Sequence, residues 1–109
     1  MAVNPTPPGY HSLTPSIDVG DAPDALACYE KAFGAKETFR HEAGGKIAHA
    51  EIQIGDSRLM LSDEFPEWDA LGPESRGGTT GSLLIYVDDV DASFGRSIKA
   101  GASVLQAVE

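Results

Sequence analysis

Two stretches of the chain repeat one another, and a repeat of this size means that the core is built from two copies of one unit. The first begins Ser12-Leu13-Thr14-Pro15-Ser16-Ile17-Asp18-Val19-Gly20-Asp21-Ala22, passes through Asp24-Ala25 and closes on Phe33-Gly34-Ala35. The second begins Leu83-Leu84-Ile85-Tyr86-Val87-Asp88-Asp89-Val90, passes through Asp91-Ala92 and closes on Ala100-Gly101-Ala102. Val19 aligns with Val87 and Asp21 with Asp89; one slip inside the helix then brings Gly34 onto Gly101. Neither copy can bury its apolar face alone, whereas two together can.

Each copy reads as strand, helix, strand. Leu13, Ile17 and Val19, like Leu83, Ile85 and Val87, lie at even spacings, which puts each set on one face of a strand. Asp21 and Asp89 stand where strand gives way to helix, and an aspartate there accepts hydrogen bonds from the first free helical N–H groups. Gly34 and Gly101 are the expected helix stops, since glycine enters the left-handed cap conformation without steric cost.

At 109 residues the chain has room for one small domain with one core. The net charge of −9 argues against nucleic acid and anionic membrane surfaces as partners, because both are bound through clusters of Lys and Arg, and the eight basic residues here are scattered. No apolar run reaches the roughly 20 residues of a membrane span, and the first residues lack the pattern of a signal peptide, so a cytoplasmic location is expected. The lone Cys28 excludes an internal disulfide and is expected to be a small buried hydrophobe.

In chain order, residues 1–10 form a proline-rich extended arm, expected to be mobile unless it docks on a partner. Residues 11–63 form a first β-α-β-β-β module. Its first strand runs from His11 to Val19, with Pro15 marking an edge or a bulge. Leu26, Tyr29 and Phe33 stripe the helix of Ala22 to Phe33. A second strand covers Lys36 to Glu42, Gly44-Gly45 turns a hairpin, and Lys46 to Ile54 alternates with Ala48, Ala50, Ile52 and Ile54 on one face. A fourth strand spans Arg58 to Ser62. Residues 64–80, rich in Gly and Pro, read as a linker or lid. Residues 81–109 start a second module: a strand over Gly81 to Asp88, a helix striped by Val90, Phe94 and Ile98, and a strand over Ser103 to Val108.

Paired β-α-β-β-β modules with Val-x-Asp leading into each helix resemble the vicinal oxygen chelate superfamily, which includes glyoxalase I, bleomycin-resistance proteins and extradiol dioxygenases. More narrowly the chain looks like the PhnB-like group. The resemblance rests on Gly9-Tyr10-His11, Tyr29-Glu30-Lys31-Ala32-Phe33-Gly34-Ala35, His49-Ala50-Glu51-Ile52, the run Gly55 to Glu64 and Tyr86-Val87-Asp88-Asp89-Val90-Asp91-Ala92. It implies an α+β fold of paired modules, here with the second module lacking its last two strands. Metal-dependent relatives place four ligands on the concave face, one on the first and one on the last strand of each module. The three positions visible here are Thr14, Met60 and Ser82, and two hydroxyls and a thioether do not make a site for a divalent first-row ion. No metal and no cofactor are therefore expected.

By strand parity the polar face presents Thr14, Ser16 and Asp18 from the first strand, His49, Glu51 and Gln53 from the third, and Ser82 and Tyr86 from the fifth. Curled as the resemblance implies, the sheets bring these to one concavity; an antiparallel sheet with one wet face has the same sequence pattern. His49 and Glu51, two apart on one face, are the candidates for proton transfer. Tyr86 offers a cavity wall or a core partner. Trp68, beside Phe65 and Pro66, is a lid over an apolar ligand or packs under its loop or on another subunit. The expected function is small-molecule binding or sequestration, with a lyase or isomerase using His49 or Glu51 as the rival. An unpaired edge at Ser103 to Val108 implies a homodimer that covers it in trans.

Overall fold

The computed structural model describes residues 5–103. It contains the first module whole: β1 (Ser16–Val19), α1 (Ala22–Phe33), β2 (Lys36–Ala43), β3 (Lys46–Ile54) and β4 (Ser57–Asp63), in an α+β arrangement with sheet order β1-β4-β3-β2. β1 runs parallel to β4, and the other pairs are antiparallel. The hairpin turn after β2 needs positive φ at two successive residues, and Gly44 and Gly45 supply it at 59° and 80°.

α1 begins as its sequence predicts. Asp21 accepts from the amide of Asp24 at 3.1 Å, and Gly34, at φ 67°, closes the C-terminus. The helix lays Ala22 and Leu26 on Ile47, Ala50, Ile52, Leu59 and Leu61 of the sheet. Ile47, Ile52 and Leu61 are almost wholly withdrawn from water, each stabilising the fold by roughly 1.5–3 kcal/mol. Cys28 is half-buried rather than enclosed.

The parity of β3 holds only in part. Pairing passes from His41↔His49 to Glu42↔Ile47, leaving Ala48 without a partner. This bulge reverses the side chains beyond it, so that Ile47, not Ala48, is the buried residue. A second register shift, at Thr38 in β2, lets its hydroxyl donate to the Glu51 carbonyl at 3.2 Å.

Four expectations are corrected. The first strand starts at Ser16 rather than His11, because Pro15 has no N–H to give the ladder, although its carbonyl accepts from Met60 N at 3.0 Å. The arm, from Pro5 on, is not simply extended: Tyr10 N donates to the Pro7 carbonyl at 3.1 Å, and the tyrosine ring packs on the sheet. Residues 81–87 form no strand, since no described strand lies alongside to pair with them. The second helix, α3 (Val90–Lys99), is present and capped by Asp89, which accepts from Ala92 N at 3.0 Å. Its expected stripe is not covered: α3 packs mainly on α1 and buries Ser93, leaving Val90 and Ile98 exposed. The helix ends on Ala100 in a right-handed conformation, with Gly101 taking positive φ one residue later. Apart from Ser103, the strand expected over 103–108 lies outside the described residues. The linker carries a 3₁₀ turn (Pro66–Trp68) and a short helix, α2 (Pro73–Arg76).

Candidate functional site

The face of the sheet turned away from α1 gathers the polar residues. Register places Ser16 beside Met60 and Met60 beside Glu51, and Glu51 in turn pairs with Phe39. These four side chains form one row across all four strands. Two further pairs are Asp18 with Ser62 and His49 with His41, with Ser62 Oγ donating to Asp18 Oδ1 at 2.7 Å. A third pair joins Gln53 to Arg58.

Glu51 is the centre of this surface. Its Oε2 lies 2.9 Å from His49 Nε2, and its Oε1 accepts from the hydroxyl of Tyr10. The carboxylate is thus held from both sides. Its side chain is 14% exposed against 37% for His49, so the imidazole is the member that meets solvent. With Nε2 engaged, His49 presents Nδ1, for which the described residues offer no partner. The Phe39 ring stands 5.8 Å from the imidazole and supplies an apolar flank.

Of the candidates named from sequence, Ser16, His49, Glu51, Gln53 and Met60 share this face. Gln53 turns its amide back to the Gly55 carbonyl at 3.0 Å. Thr14 stands one turn of chain before β1, at the rim of a separate hollow. Ser82, Tyr86 and Trp68 do not join the face. Ser82 and Tyr86 belong to the unpaired segment 81–87, where Tyr86 is 90% exposed. Trp68 stacks on Phe65 at 5.2 Å, with Lys46 over the Phe65 ring, and is 74% exposed; it is not seated over the sheet.

Two residues of the site escaped the sequence reading. Tyr10 was assigned to the arm, although Gly9-Tyr10-His11 was among the matching motifs. Arg58 reads from sequence only as a strand residue; its guanidinium lies over the Tyr10 ring, 5.0 Å from the centroid. The signal available was parity, since Arg58 alternates with Met60 and Ser62.

The metal positions of the fold do not suit an ion here. Of the three positions Thr14, Met60 and Ser82, Met60 lies in β4, Thr14 precedes β1 and Ser82 lies outside the sheet, and their hydroxyl and thioether groups bind divalent cations poorly. Among the described residues no three His, Cys, Asp or Glu side chains come together as ligands.

A family model, that of the Glyoxalase/Bleomycin resistance protein/Dioxygenase superfamily, matches residues 11–109. The chain belongs to this superfamily. Uncharacterized proteins of Mycobacterium bovis and Mycobacterium tuberculosis are each 39% identical to it over its whole length, which spans 72% and 64% of theirs. Among solved structures, an Arabidopsis thaliana gene product superposes with TM-score 0.69 at 18% identity, over 90% of this chain and 77% of that one. TioX from Micromonospora sp. ML1 does so with TM-score 0.65 at 26% identity, over 91% and 77%. No helix among the described residues of this superfamily member is long and apolar enough to cross a membrane.

Proposed function

We propose that the chain is a small-molecule binding or sequestering protein of the PhnB-like group, working in the cytoplasm as a homodimer. The observation that carries the binding reading is the clamp on Glu51. A carboxylate held by Tyr10 and His49 fixes the imidazole in one orientation and leaves Nδ1 for a ligand. Met60 and Phe39 border it with apolar surface, and Ser16 adds a hydroxyl in the same row. Apolar walls with a few fixed polar groups are what small ligands need.

A thermal-shift screen of small aromatic and carboxylated metabolites tests the reading. At a tenfold excess over Kd a ligand stabilises by about 1.4 kcal/mol, which raises Tm by several degrees for a domain of this size. The shift is expected to vanish in His49→Ala and to shrink in Tyr10→Phe, which frees one Glu51 oxygen. A screen without hits on the native chain, or hits indifferent to both substitutions, would sink it.

The same pair supports a second reading, a lyase or isomerase. His49 and Glu51 at 2.9 Å can take up and return a proton next to a carbonyl. Such an enzyme exchanges the α-hydrogen of a bound carbonyl compound for solvent deuterium, and Glu51→Gln slows the exchange; a ligand that binds without exchange leaves the binding reading alone.

A further inference from the structure

We infer that Arg58 is the anion-recognising group of this protein and that its ligand is an apolar molecule carrying a carboxylate. The hollow concerned is separate from the Glu51 face, so the inference goes beyond the binding reading above.

Arg58 is, among the described residues, a cation without a counterion. Among the described residues, the ion pairs of arginine are made by Arg40, to Glu37 and Glu42, and by Arg76, to Asp69. In a chain with 17 acidic residues against eight basic ones, a carboxylate for Arg58 would be easy to supply. None among the described residues stands within ion-pair distance of it. Its Nε is moreover buried with no hydrogen-bond acceptor, an arrangement that costs free energy unless something else answers the charge.

The guanidinium is held in place all the same. Tyr10 stacks on it at 5.0 Å, and Gly9 fits so closely that a β-carbon there would come to 3.0 Å from Nη2. Stacking occupies the face of the guanidinium plane and burial closes off Nε, so the Nη groups are the donors left to a planar anion. Arg58 thus joins the clamp on Glu51 through one tyrosine.

The same residue lines a hollow of about 600 Å³, within the usual range for small-ligand sites. Leu13, Phe33, Ile54, Leu59 and Ile85 make its walls apolar, and Thr14 stands with Arg58 among its polar groups. Asp56 and Asp88 also border it, yet neither pairs with Arg58. An apolar body in the hollow with its carboxylate on the Arg58 edge satisfies the walls and the orphan cation together.

The probes are 1-naphthylacetate and its neutral isostere 1-naphthylacetamide, titrated by NMR into the full chain. The acid is expected to bind at least ~10-fold more tightly than the amide, the difference a charge-assisted contact to arginine supplies. Arg58→Gln is expected to erase that preference and Arg58→Lys to keep part of it, with circular dichroism confirming that both fold. Equal affinity of acid and amide for the native chain overturns the inference without reference to any variant. A preference that survives Arg58→Gln overturns it too. Because the hollow is separate from the Glu51 face, this inference stands or falls on the two probes, while the binding reading stands or falls on the His49-dependent screen.

Discussion

The carboxylate of Asp63 accepts two backbone N–H groups at once. Oδ1 takes Ala22 N and Oδ2 takes Ile47 N, each at 2.7 Å, with the side chain almost wholly buried. One residue at the end of β4 therefore satisfies the start of α1 and the bulged end of β3, both of which would otherwise present bare donors in the interior. Asp63→Asn is expected to cost nearly as much as Asp63→Ala, about 3 kcal/mol in urea unfolding, because the amide turns a donor toward a donor. Nothing in the sequence singled this residue out, since an Asp after a strand reads as a turn. Tyr29 offers a test by pH. Burial, and to a lesser extent the neighbouring Cys28, push its phenol above the usual tyrosine range. The folded state thus holds the proton more tightly than the unfolded chain; the stabilisation is complete below the unfolded value near 10 and is lost as pH rises through the higher folded one. Tyr29→Phe is expected to flatten the fall in stability as pH rises above about 10, read from denaturant midpoints.

Elements were most readable where local chemistry and long-range pairing agree. The bounds of α1 and β3 follow from Asp21, Gly34, the Gly44-Gly45 turn and Gly55, all local signals. The inversion at Ala48 was not readable, because a bulge is set by the partner strand and by Asp63 reaching for Ile47 N. The polar rows were readable for the same reason as the core, by alternation, which puts His49, Glu51, Ser16 and Met60 on one face of the sheet. The segment 81–87 failed because a strand pattern records only a preference; a ladder needs a neighbour. Its amides are therefore expected to exchange with deuterium within seconds in the monomeric chain at neutral pH, while those of Ala50, Glu51 and Ile52 in the middle of the sheet stay protected. Strong protection at Leu83 to Val87 under those conditions would mean that a pairing strand exists in the monomer after all.

At the scale of the molecule, two surfaces remain without a covering partner among the described residues. β1 is a sheet edge of four residues, and the segment 81–87, which borders one hollow with the residues just before β1, exposes Leu83, Leu84 and Tyr86 at 55%, 79% and 90%. The opposite edge, β2, is lined by Lys36, Glu37, Arg40 and Glu42, charges that discourage strand addition. Self-association is thus directed to the β1 side, and a second copy of the chain is the occupant we propose there. Two copies each carrying −9 repel one another, so the apolar contact has to overcome a charge term that salt screens. The dimer is accordingly expected to tighten as NaCl rises from 20 to 300 mM (roughly 20 to 6 Å of Debye length), the reverse of an association held by ion pairs. Leu84→Lys is expected to weaken it by at least ~10-fold, since it places a solvated charge in the apolar contact, while the stability of the first module stays unchanged. Sedimentation equilibrium at both salt concentrations gives the answer: a monomer throughout the micromolar range, or a dimer that salt dissolves, removes β1 and Leu83 to Val87 as the joining surface.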